Sequence, residues 1–324
     1  MTLSYVLPLR APTPLADDAV AYLRSVAAVV DELLVVDGSG AEVFDANLLA
    51  LGDVATVMRP DQLFRCANGK VAGVLTGVAL ARNDLVVIAD DDVRYTSAAL
   101  DAVIERLAGA DAVVPQNVYA PLPWHARWDT GRILVHRAVA DDMGGTVAIR
   151  RDALLRVGGY DGDVLFENLE LLRTIRAGGG TVAFAPDVFV RRVPPTLRHF
   201  AGQRVRQAYD EFARPWLLAA WLTILPVAAA RLRRRGRRGW VDVAVGAAAT
   251  VALAEAGRRR GRGVTAFDRR AAWWAPVWVL ERAICAWLAV ASRLRGGVRY
   301  AGRRLPRAAS SPRELRRQLA GASV

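Results

Sequence analysis

The sequence predicts an α/β fold, in which a doubly wound, mostly parallel sheet precedes a C-terminal apolar helical region. Two observations predict it. In the first 120 residues, short continuous apolar runs alternate with helical patterns, as in parallel strands that are covered on both faces. After residue 213, three long apolar runs are separated by arginine-rich stretches. We therefore expect one domain over residues 1–213 and a separate helical region over residues 214–324.

The strands and helices are expected in alternating order along the chain. Strands are predicted at Leu3–Leu9, Glu32–Asp37, Val54–Met58, Asp84–Ala89, Asp111–Pro115, Gly145–Arg150 and Thr181–Ala185. Helices are predicted at Leu15–Val30, Gly69–Arg82, Thr96–Leu107, Phe166–Ala177 and from about Arg198 to Phe212. Between them, the proline- and aromatic-rich segment Tyr119–Trp128 is expected to form a loop. Sheets of this kind bind ligands at the carboxyl ends of their strands.

Composition and charge exclude several classes of protein. Hydrophobic residues make up 53% of the chain, which is too many for a disordered protein, and two cysteines cannot build a disulfide scaffold. Residues 1–200 carry 19 basic and 25 acidic side chains, a net charge of −6, whereas residues 201–324 carry 25 and 7, a net charge of +18. The arginines flank apolar runs and the first part is acidic, so no nucleic-acid partner is expected.

Three segments place polar side chains where a ligand would bind. Asp90, Asp91 and Asp92 follow an apolar strand, and a divalent cation held together with phosphate would relieve their mutual repulsion. Asp37 ends another strand, in an Asp-Gly-Ser sequence. Lys70, the only lysine, lies at the start of a predicted helix, where a diphosphate binds well. Each segment has a plainer interpretation, since acidic turns and Asp-Gly turns are also common in surface loops.

Taken in order, these segments resemble the inverting family-two glycosyltransferases, which have the GT-A fold. The resemblance covers roughly residues 3–215, with the order and approximate spacing of the family's motifs. The matching residues are Val35–Ser39, Gly69, Lys70, Gly77, Asp90, Asp92, Gly145, Thr146, Arg150, Arg151, Leu154 and Gly158–Asp161. The chain has one acid fewer in the first motif, and the asparagine of the second is displaced by one position, to Asn68.

The resemblance implies roles at the donor site. Asp37 would contact the nucleotide base, and Lys70 would lie near the base or the diphosphate. Asp90 would lie on the ribose or metal side, and Asp92 would ligate Mn²⁺ or Mg²⁺. The donor would be a nucleotide sugar such as a UDP- or GDP-sugar, and Gly145 would belong to the substrate-binding element on the acceptor side. The metal would stabilise the departing nucleoside diphosphate.

The general base is where the chain departs from the family. Glu167–Leu171 matches the family's helix start, but the usual aspartate is Asn168, which cannot accept a proton at neutral pH. The candidates for the base are therefore Glu167 and, one helical turn further on, Glu170, with Asp161 and Asp163 as further alternatives. The same departure leaves open a degenerate protein that binds a sugar nucleotide without turnover.

Further candidates lie after the sheet. Gln203 and Arg206 match part of a Q-x-x-R-W motif, and a guanidinium there would clamp the diphosphate, although a solvated helix face has the same pattern. His199 would complete the metal site or would be an ordinary polar residue. Trp124 would stack on a sugar ring or pack within an aromatic loop.

The tail is expected to associate with a membrane. Its apolar runs are Pro215–Ala230, Trp240–Ala256 and Ala271–Ala291, and the arginine clusters between them would alternate sides if all three spanned. We therefore expect helices that lie in or dip into the cytoplasmic leaflet and attract anionic lipids, or one hairpin with an interfacial helix. A soluble helical subdomain is the alternative. The end of the tail, residues 298–303, weakly resembles ceramide glucosyltransferase-like enzymes.

These expectations combine into one function. The sequence predicts a glycosyltransferase at the cytoplasmic face of the cell membrane, with a lipid-linked or envelope-glycan acceptor. The N-terminus lacks the basic and apolar regions of a signal peptide, which favours a cytoplasmic catalytic domain. A sugar nucleotidyltransferase is a weaker alternative, because no Gly-rich loop follows the first strand at Pro8–Pro12.

Overall fold

The computed structural model describes residues 2–142, 144–300 and 302–322. The strands are β1 Leu3–Leu9, β2 Glu32–Asp37, β3 Thr56–Met58, β4 Leu85–Ala89, β5 Val93–Arg94, β6 Ala112–Tyr119, β7 Thr146–Arg150, β8 Val182–Arg192, β9 Val298–Tyr300 and β10 Arg303–Leu305. The helices are α1 Asp17–Ala27, α2 Ala41–Leu51, α3 Gly69–Leu80, α4 Ser97–Leu107, α5 Trp124–Val139, α6 Arg151–Arg156, α7 Glu167–Ala177, α8 Leu197–Tyr209, α9 Pro215–Arg235, α10 Arg237–Arg259, α11 Ala275–Leu294 and α12 Pro312–Ala322.

The chain forms two compact units. The first, here called the sheet unit, comprises Met1–Asn117, Met143–Arg191 and Ser310–Val324. The second, the helical unit, comprises Val118–Asp142 and Arg192–Ala309. The compact units therefore divide the chain differently from the expected boundary at residue 213. That boundary was drawn between a catalytic and a membrane-associated region, and it stays a prediction.

The sheet has eight strands in the order β3-β2-β1-β4-β7-β6-β8-β5. Strand β1 is parallel to both β2 and β4, and β2 is parallel to β3. Strand β7 is inserted antiparallel between β4 and β6. The predicted α/β sheet, mostly parallel and typical of the GT-A fold, is therefore confirmed, and the carboxyl ends of β1, β2 and β4 lie at one edge.

Both faces of the sheet are buried, as the continuous apolar runs indicate. Along β1, Tyr5 and Leu7 belong to the core on one face, together with residues of α1 and α4. Val6 belongs to the core on the other face, with residues of α3 and α7. A Cβ atom at Gly77 would lie 2.4 Å from Val6 Cγ1, so the close packing of α3 on β1 requires glycine there.

The helical unit is built from α5, α8, α9, α10 and α11, with the small β9–β10 hairpin. Helix α5 packs against α10 and α11, α8 packs against α11, and α9 packs against α10. Helices α9 and α10 meet at Gly236, whose φ of 52° is readily adopted only by glycine. The three apolar runs of the tail therefore form helices that pack on one another and on α5.

Among the residues that the structure describes, three helical segments are long and apolar enough to cross a membrane: Pro215–Arg235, Arg237–Thr265 and Arg269–Leu294. Few residues of the first two segments are buried, and the third is the most buried. On α11, Leu280 and Ile284 are exposed, whereas Trp278 and Arg282 are buried. The tail can thus span or associate with a membrane, and α11 has one face buried in the protein and another that exposes apolar side chains.

Several elements differ from the sequence prediction. Residues 124–128, predicted as a loop, begin α5, whose buried positions include polar residues and so hide the helical pattern. Helices α2 and α12 and the β9–β10 hairpin have no counterpart among the predicted elements. Strand β8 runs to Arg192, well beyond the predicted end at Ala185. Ala301, within the tail motif, lies outside the described residues.

Candidate active site

The carboxyl end of β4 delivers the three consecutive aspartates. Asp90 follows Ala89 directly, and its backbone N–H donates to the carbonyl oxygen of Gly145 at 2.8 Å. Asp90 and Asp92 are half-buried, whereas Asp91 is exposed. The predicted substrate residue Gly145 therefore lies directly against the start of the acidic segment.

Lys70 lies between two carboxylates. Its Nζ is 2.6 Å from Asp90 Oδ1 and 2.9 Å from Glu167 Oε1. Burial opposes the charge of Lys70, but the attraction of Asp90 and then of Glu167 outweighs it and raises the pKa of the lysine. The structure thus brings together three residues that the sequence predicted separately, and it holds Lys70 as a cation.

Local structure fixes both helices that carry this group. Asn68 caps α3, because its Oδ1 accepts the backbone N–H of Lys70 at 3.2 Å, and the Asn68 amide also donates to Val164 O at 3.3 Å. Asn168, at the family's base position, donates to Gly144 O at 2.9 Å. Asn168 therefore anchors the start of α7 beside Glu167.

Asp37 is fully buried at the end of β2. Its Oδ1 accepts the backbone N–H of Ser39 at 2.8 Å, and its Oδ2 accepts the side-chain amide of Asn47 at 2.8 Å. Asp37 thus shapes the turn into α2. Its predicted contact with a nucleotide base stays a prediction.

Glu170 differs in its environment from Glu167. It is fully buried, and its Oε2 accepts the backbone N–H of Ser310 at 2.6 Å. On the same helix, Arg173 donates to Ser310 O at 2.7 Å. These two bonds fasten the segment before α12 to α7, so Glu170 has a structural partner that Glu167 does not share.

Asn117 is a residue that the sequence analysis missed. It is buried at the end of the sheet unit, and its Oδ1 accepts the backbone N–H of Gly145 at 2.7 Å. A Cβ atom at Gly144 would lie 1.8 Å from that same oxygen, so the position of Asn117 requires glycine at residue 144. The sequence could have pointed to Asn117, because two amide side chains, Gln116 and Asn117, follow an apolar strand.

The remaining predicted residues lie in the helical unit. His199, Gln203 and Arg206 occupy one face of α8 and line a single pocket, with the His199 ring and the Gln203 amide in contact. Trp124 is half exposed at the start of α5, within an aromatic group that includes Trp128 and Phe200. Trp124 therefore has packing partners, and its predicted stacking on a sugar stays a prediction.

A buried ionic network, which sequence reasoning also missed, joins three helices of the helical unit. Asp129 accepts bonds from Arg132 and Arg204 at 3.1 Å each. Arg204 also lies 3.5 Å from Glu281, which accepts the indole N–H of Trp128 at 3.1 Å. The carboxylate of the third apolar run thus has a partner within the protein, as does its neighbour Arg282, which pairs with Glu211 at 3.5 Å.

The acidic segment offers carboxylate oxygens to a metal ion. Among the described residues, no group of three or more histidine, cysteine or acidic side chains forms a ready-made metal site. Mg²⁺ and Mn²⁺ prefer oxygen ligands, and Mg²⁺ is usually held by one or two carboxylates together with substrate phosphates. Asp92, with Asp90 already paired to Lys70, fits that kind of donor set.

The comparisons with known proteins identify the family of the chain. The family described as "Glycosyltransferase like family 2" matches residues 34–210, which is more than half of the chain. The chain belongs to this family. Membership of this family identifies the chain as a glycosyltransferase, and therefore as a transferase enzyme. No curated protein matches the chain in sequence.

Among solved structures, this glycosyltransferase is similar in fold to one mannosyltransferase, and two others align with lower TM-scores. The mannosyltransferase PcManGT from Pyrobaculum calidifontis, in complex with GDP-Man and Mn²⁺, is 18% identical, with a TM-score of 0.50 over 88% of this chain and 86% of that one. Mannosyl-3-phosphoglycerate synthase from Rubrobacter xylanophilus is 16% identical, with a TM-score of 0.40 over 73% and 75%. Glucosyl-3-phosphoglycerate synthase from Mycobacterium tuberculosis is 20% identical, with a TM-score of 0.40 over 62% and 73%.

Proposed function

We propose that this glycosyltransferase transfers a sugar, with inversion, from a UDP- or GDP-sugar to a lipid-linked or envelope-glycan acceptor at the cytoplasmic face of the membrane. The observation that best supports the proposed sugar-nucleotide donor is the position of Lys70 between Asp90 and Glu167 at the sheet edge. It supports a site that combines fixed positive charge with an excess of carboxylates, which suits a metal-bound diphosphate. The GDP-mannose and Mn²⁺ of PcManGT favour the same donor chemistry.

The donor-side residues divide the work of binding. Asp37 would hold the nucleotide base, Lys70 and Asp90 the ribose and diphosphate side, and Asp92 the divalent cation. When bound, Mn²⁺ or Mg²⁺ would neutralise the charge that develops on the leaving diphosphate. In the helical unit, His199 is proposed as a further metal ligand, Gln203 and Arg206 as phosphate contacts and Trp124 as a sugar contact.

Glu167 is the proposed general base. It starts α7, and its side chain is about one-tenth exposed, whereas Glu170 is fully buried against Ser310. A base must reach the acceptor hydroxyl in order to remove its proton. Burial and the Ser310 bond therefore favour Glu167 over Glu170.

The proposed membrane association is carried by residues 214–324. Exposed tryptophans on the apolar helices, among them Trp216, Trp240 and Trp273, suit the interface between lipid and water. The arginine clusters would attract anionic lipids by about 1 kcal/mol per basic residue near the surface. A hydrocarbon-bearing acceptor fits such a location.

The donor site is tested with Asp92→Asn and the matched control Asp91→Asn. We expect Asp92→Asn to reduce Mn²⁺-dependent hydrolysis or transfer from UDP- and GDP-sugars by at least about 100-fold, with unchanged thermal unfolding. The exposed Asp91 should tolerate the same change with a loss of only a few-fold. Equal activity of the two variants would contradict the site, and stabilisation by sugar nucleotides without any turnover would favour a degenerate binding protein.

A further inference from the structure

Asn168 stands at the position of the family's usual aspartate, and both ends of its side-chain amide have a partner. Its Nδ2–H donates to the carbonyl oxygen of Gly144 at 2.9 Å. Its Oδ1 accepts from the ammonium of Lys70 at 3.5 Å. A carbonyl oxygen only accepts and an ammonium only donates, so these partners fix which end of the amide is which. The position therefore uses a donor and an acceptor together, which an ionised aspartate cannot supply.

The peptide group between Gly144 and Gly145 is held from both sides. Its carbonyl accepts from Asn168, and its N–H, which belongs to Gly145, donates to Asn117 Oδ1 at 2.7 Å. Asn117 is buried, and a Cβ atom at Gly144 would lie 1.8 Å from that oxygen. Two asparagines, one from β6 and one from α7, therefore fix a single peptide group.

This peptide group belongs to a closed ring of contacts within the sheet unit. The Gly145 carbonyl oxygen accepts the backbone N–H of Asp90 at 2.8 Å. Asp90 Oδ1 lies 2.6 Å from Lys70 Nζ, which also contacts Glu167 Oε1 at 2.9 Å. Glu167 is the neighbour of Asn168 on α7, which closes the ring. The ring thus sets the spacing between the acidic segment and the start of α7.

An aspartate at residue 168 would break this ring. A carboxylate has nearly the same shape as the amide but no N–H, so the Gly144 carbonyl would lose its donor and face a negatively charged oxygen. Asn168 is only partly exposed, which makes that loss more costly than at the surface. The carboxylate would also be a third one around Lys70, beside Asp90 and Glu167. The surroundings of residue 168 therefore favour the amide.

We propose that Asn168 is a positioning residue that keeps Glu167 and Asp90 at a fixed spacing. It does so by holding the peptide group between Gly144 and Gly145. Asn168 is then more than the remnant of a lost base, because the amide orients the site while Glu167 acts as the base. The catalytic part of this inference rests on the proposed function, whereas the ring of contacts does not. Restoring the family's aspartate should therefore impair the enzyme.

The test compares Asn168→Asp and Asn168→Ala with the controls Asn83→Asp and Asn83→Ala in the full-length protein. Asn83 also donates through its amide, to Ser4 Oγ at 3.1 Å, but it precedes β4, at the opposite end of the strand from Asp90. Hydrogen–deuterium exchange of the segments that contain Gly145 and Asp90 reports on the ring without any ligand. Thermal unfolding checks that each variant is folded at the temperature of the measurements.

We expect both Asn168 variants to accelerate exchange of the Gly145 and Asp90 amides by about tenfold or more, while the controls change it by less than about twofold. The kcat for Mn²⁺-dependent transfer or hydrolysis from UDP- and GDP-sugars should fall by about tenfold, because a displaced base removes the proton less efficiently. The KM for the donor should change by less than about threefold, since the pair of Lys70 and Asp90 remains.

A double variant separates positioning from proton transfer. Adding Asn168→Asp to Glu167→Gln should give no gain in kcat. A gain of about tenfold in that background, or in Asn168→Asp alone, would make residue 168 a base position and overturn the proposal. Unchanged exchange in both Asn168 variants would also overturn it, as would faster exchange with an unchanged kcat. If the unaltered protein shows no turnover, the proposed function fails, and the exchange rates alone decide whether Asn168 holds the ring.

Discussion

The two units of this glycosyltransferase hold their charged side chains in opposite ways. In the sheet unit, Lys70 is paired with Asp90 and Glu167 beside the acidic segment Asp90–Asp92, two of whose carboxylates are only half-buried. In the helical unit, Asp129 is enclosed by two arginines, and burial of that carboxylate is outweighed by Arg132 and Arg204, which hold its pKa far below the usual range. Partly exposed carboxylates at a sheet edge are available to a charged ligand, whereas matched, buried charge between helices stabilises the fold.

Removing the central carboxylate of the helical unit is the strongest test of this contrast. We expect Asp129→Asn to destabilise the protein by about 3 kcal/mol, because two buried guanidiniums lose a charged partner without a change in shape. The expected loss of stability is at the lower end of the range for a broken buried ion pair, because each arginine keeps a second carboxylate: Arg132 keeps Asp142 and Arg204 keeps Glu281.

The measurement is urea unfolding of the full chain in detergent. The control is Asp152→Asn, which breaks an exposed pair with Arg156 on α6 and should change the free energy of unfolding by less than about 1 kcal/mol. Equal stabilities of the two variants would show that the buried network is not structural.

A second test concerns the sheet unit and separates two glutamates on one helix. Glu167→Gln keeps the shape of the side chain but removes the proton acceptor, so we expect kcat for transfer to fall by about 100-fold. Glu170→Gln should change kcat by only a few-fold. It should instead loosen the segment around Ser310, which limited proteolysis of the C-terminus would detect. The reverse pattern of kcat values would make Glu170 the base.

The smallest expected effect is the pH dependence of stability. In the helical unit, burial and the nearby Arg132 lower the pKa of His136, with Asp142 opposing them. Between that lowered value and about 6.5, the unfolded chain binds a proton that the folded protein does not, so stability falls as the pH falls below about 6.5. For one proton the slope is at most about 1.4 kcal/mol per pH unit.

Unfolding at several pH values between 5 and 8 checks this, with His136→Gln expected to reduce the slope. Lys70 adds no slope in this window. Its raised pKa gives a contribution that is fully present below about 10.4 and is lost only as the pH rises through the folded value. An unchanged slope in His136→Gln would remove His136 as its source.

The sheet unit was the more predictable part of the molecule. Strands β1 and β2 begin and end at the predicted residues, and Thr96, the first residue of a predicted helix, caps α4, with its side chain accepting the backbone N–H of Ala99. Here burial follows apolarity, so periodicity and capping signals suffice. Helix α5 was missed because its buried face contains Asp129 and Arg137, and their burial depends on partners from other helices.

The sequence by itself determined the α/β class, the family and the positions of the acidic and basic segments, because continuous apolar strands and ordered motifs are local features. Only the tertiary structure decided which residues the charged side chains contact. It placed Lys70 between carboxylates 20 and 97 residues away, gave Glu170 a partner 140 residues away, and joined α8 to the tail motif around one pocket. A buried charge requires an opposite charge or a hydrogen bond, and which residue supplies it depends on chain topology rather than on local sequence.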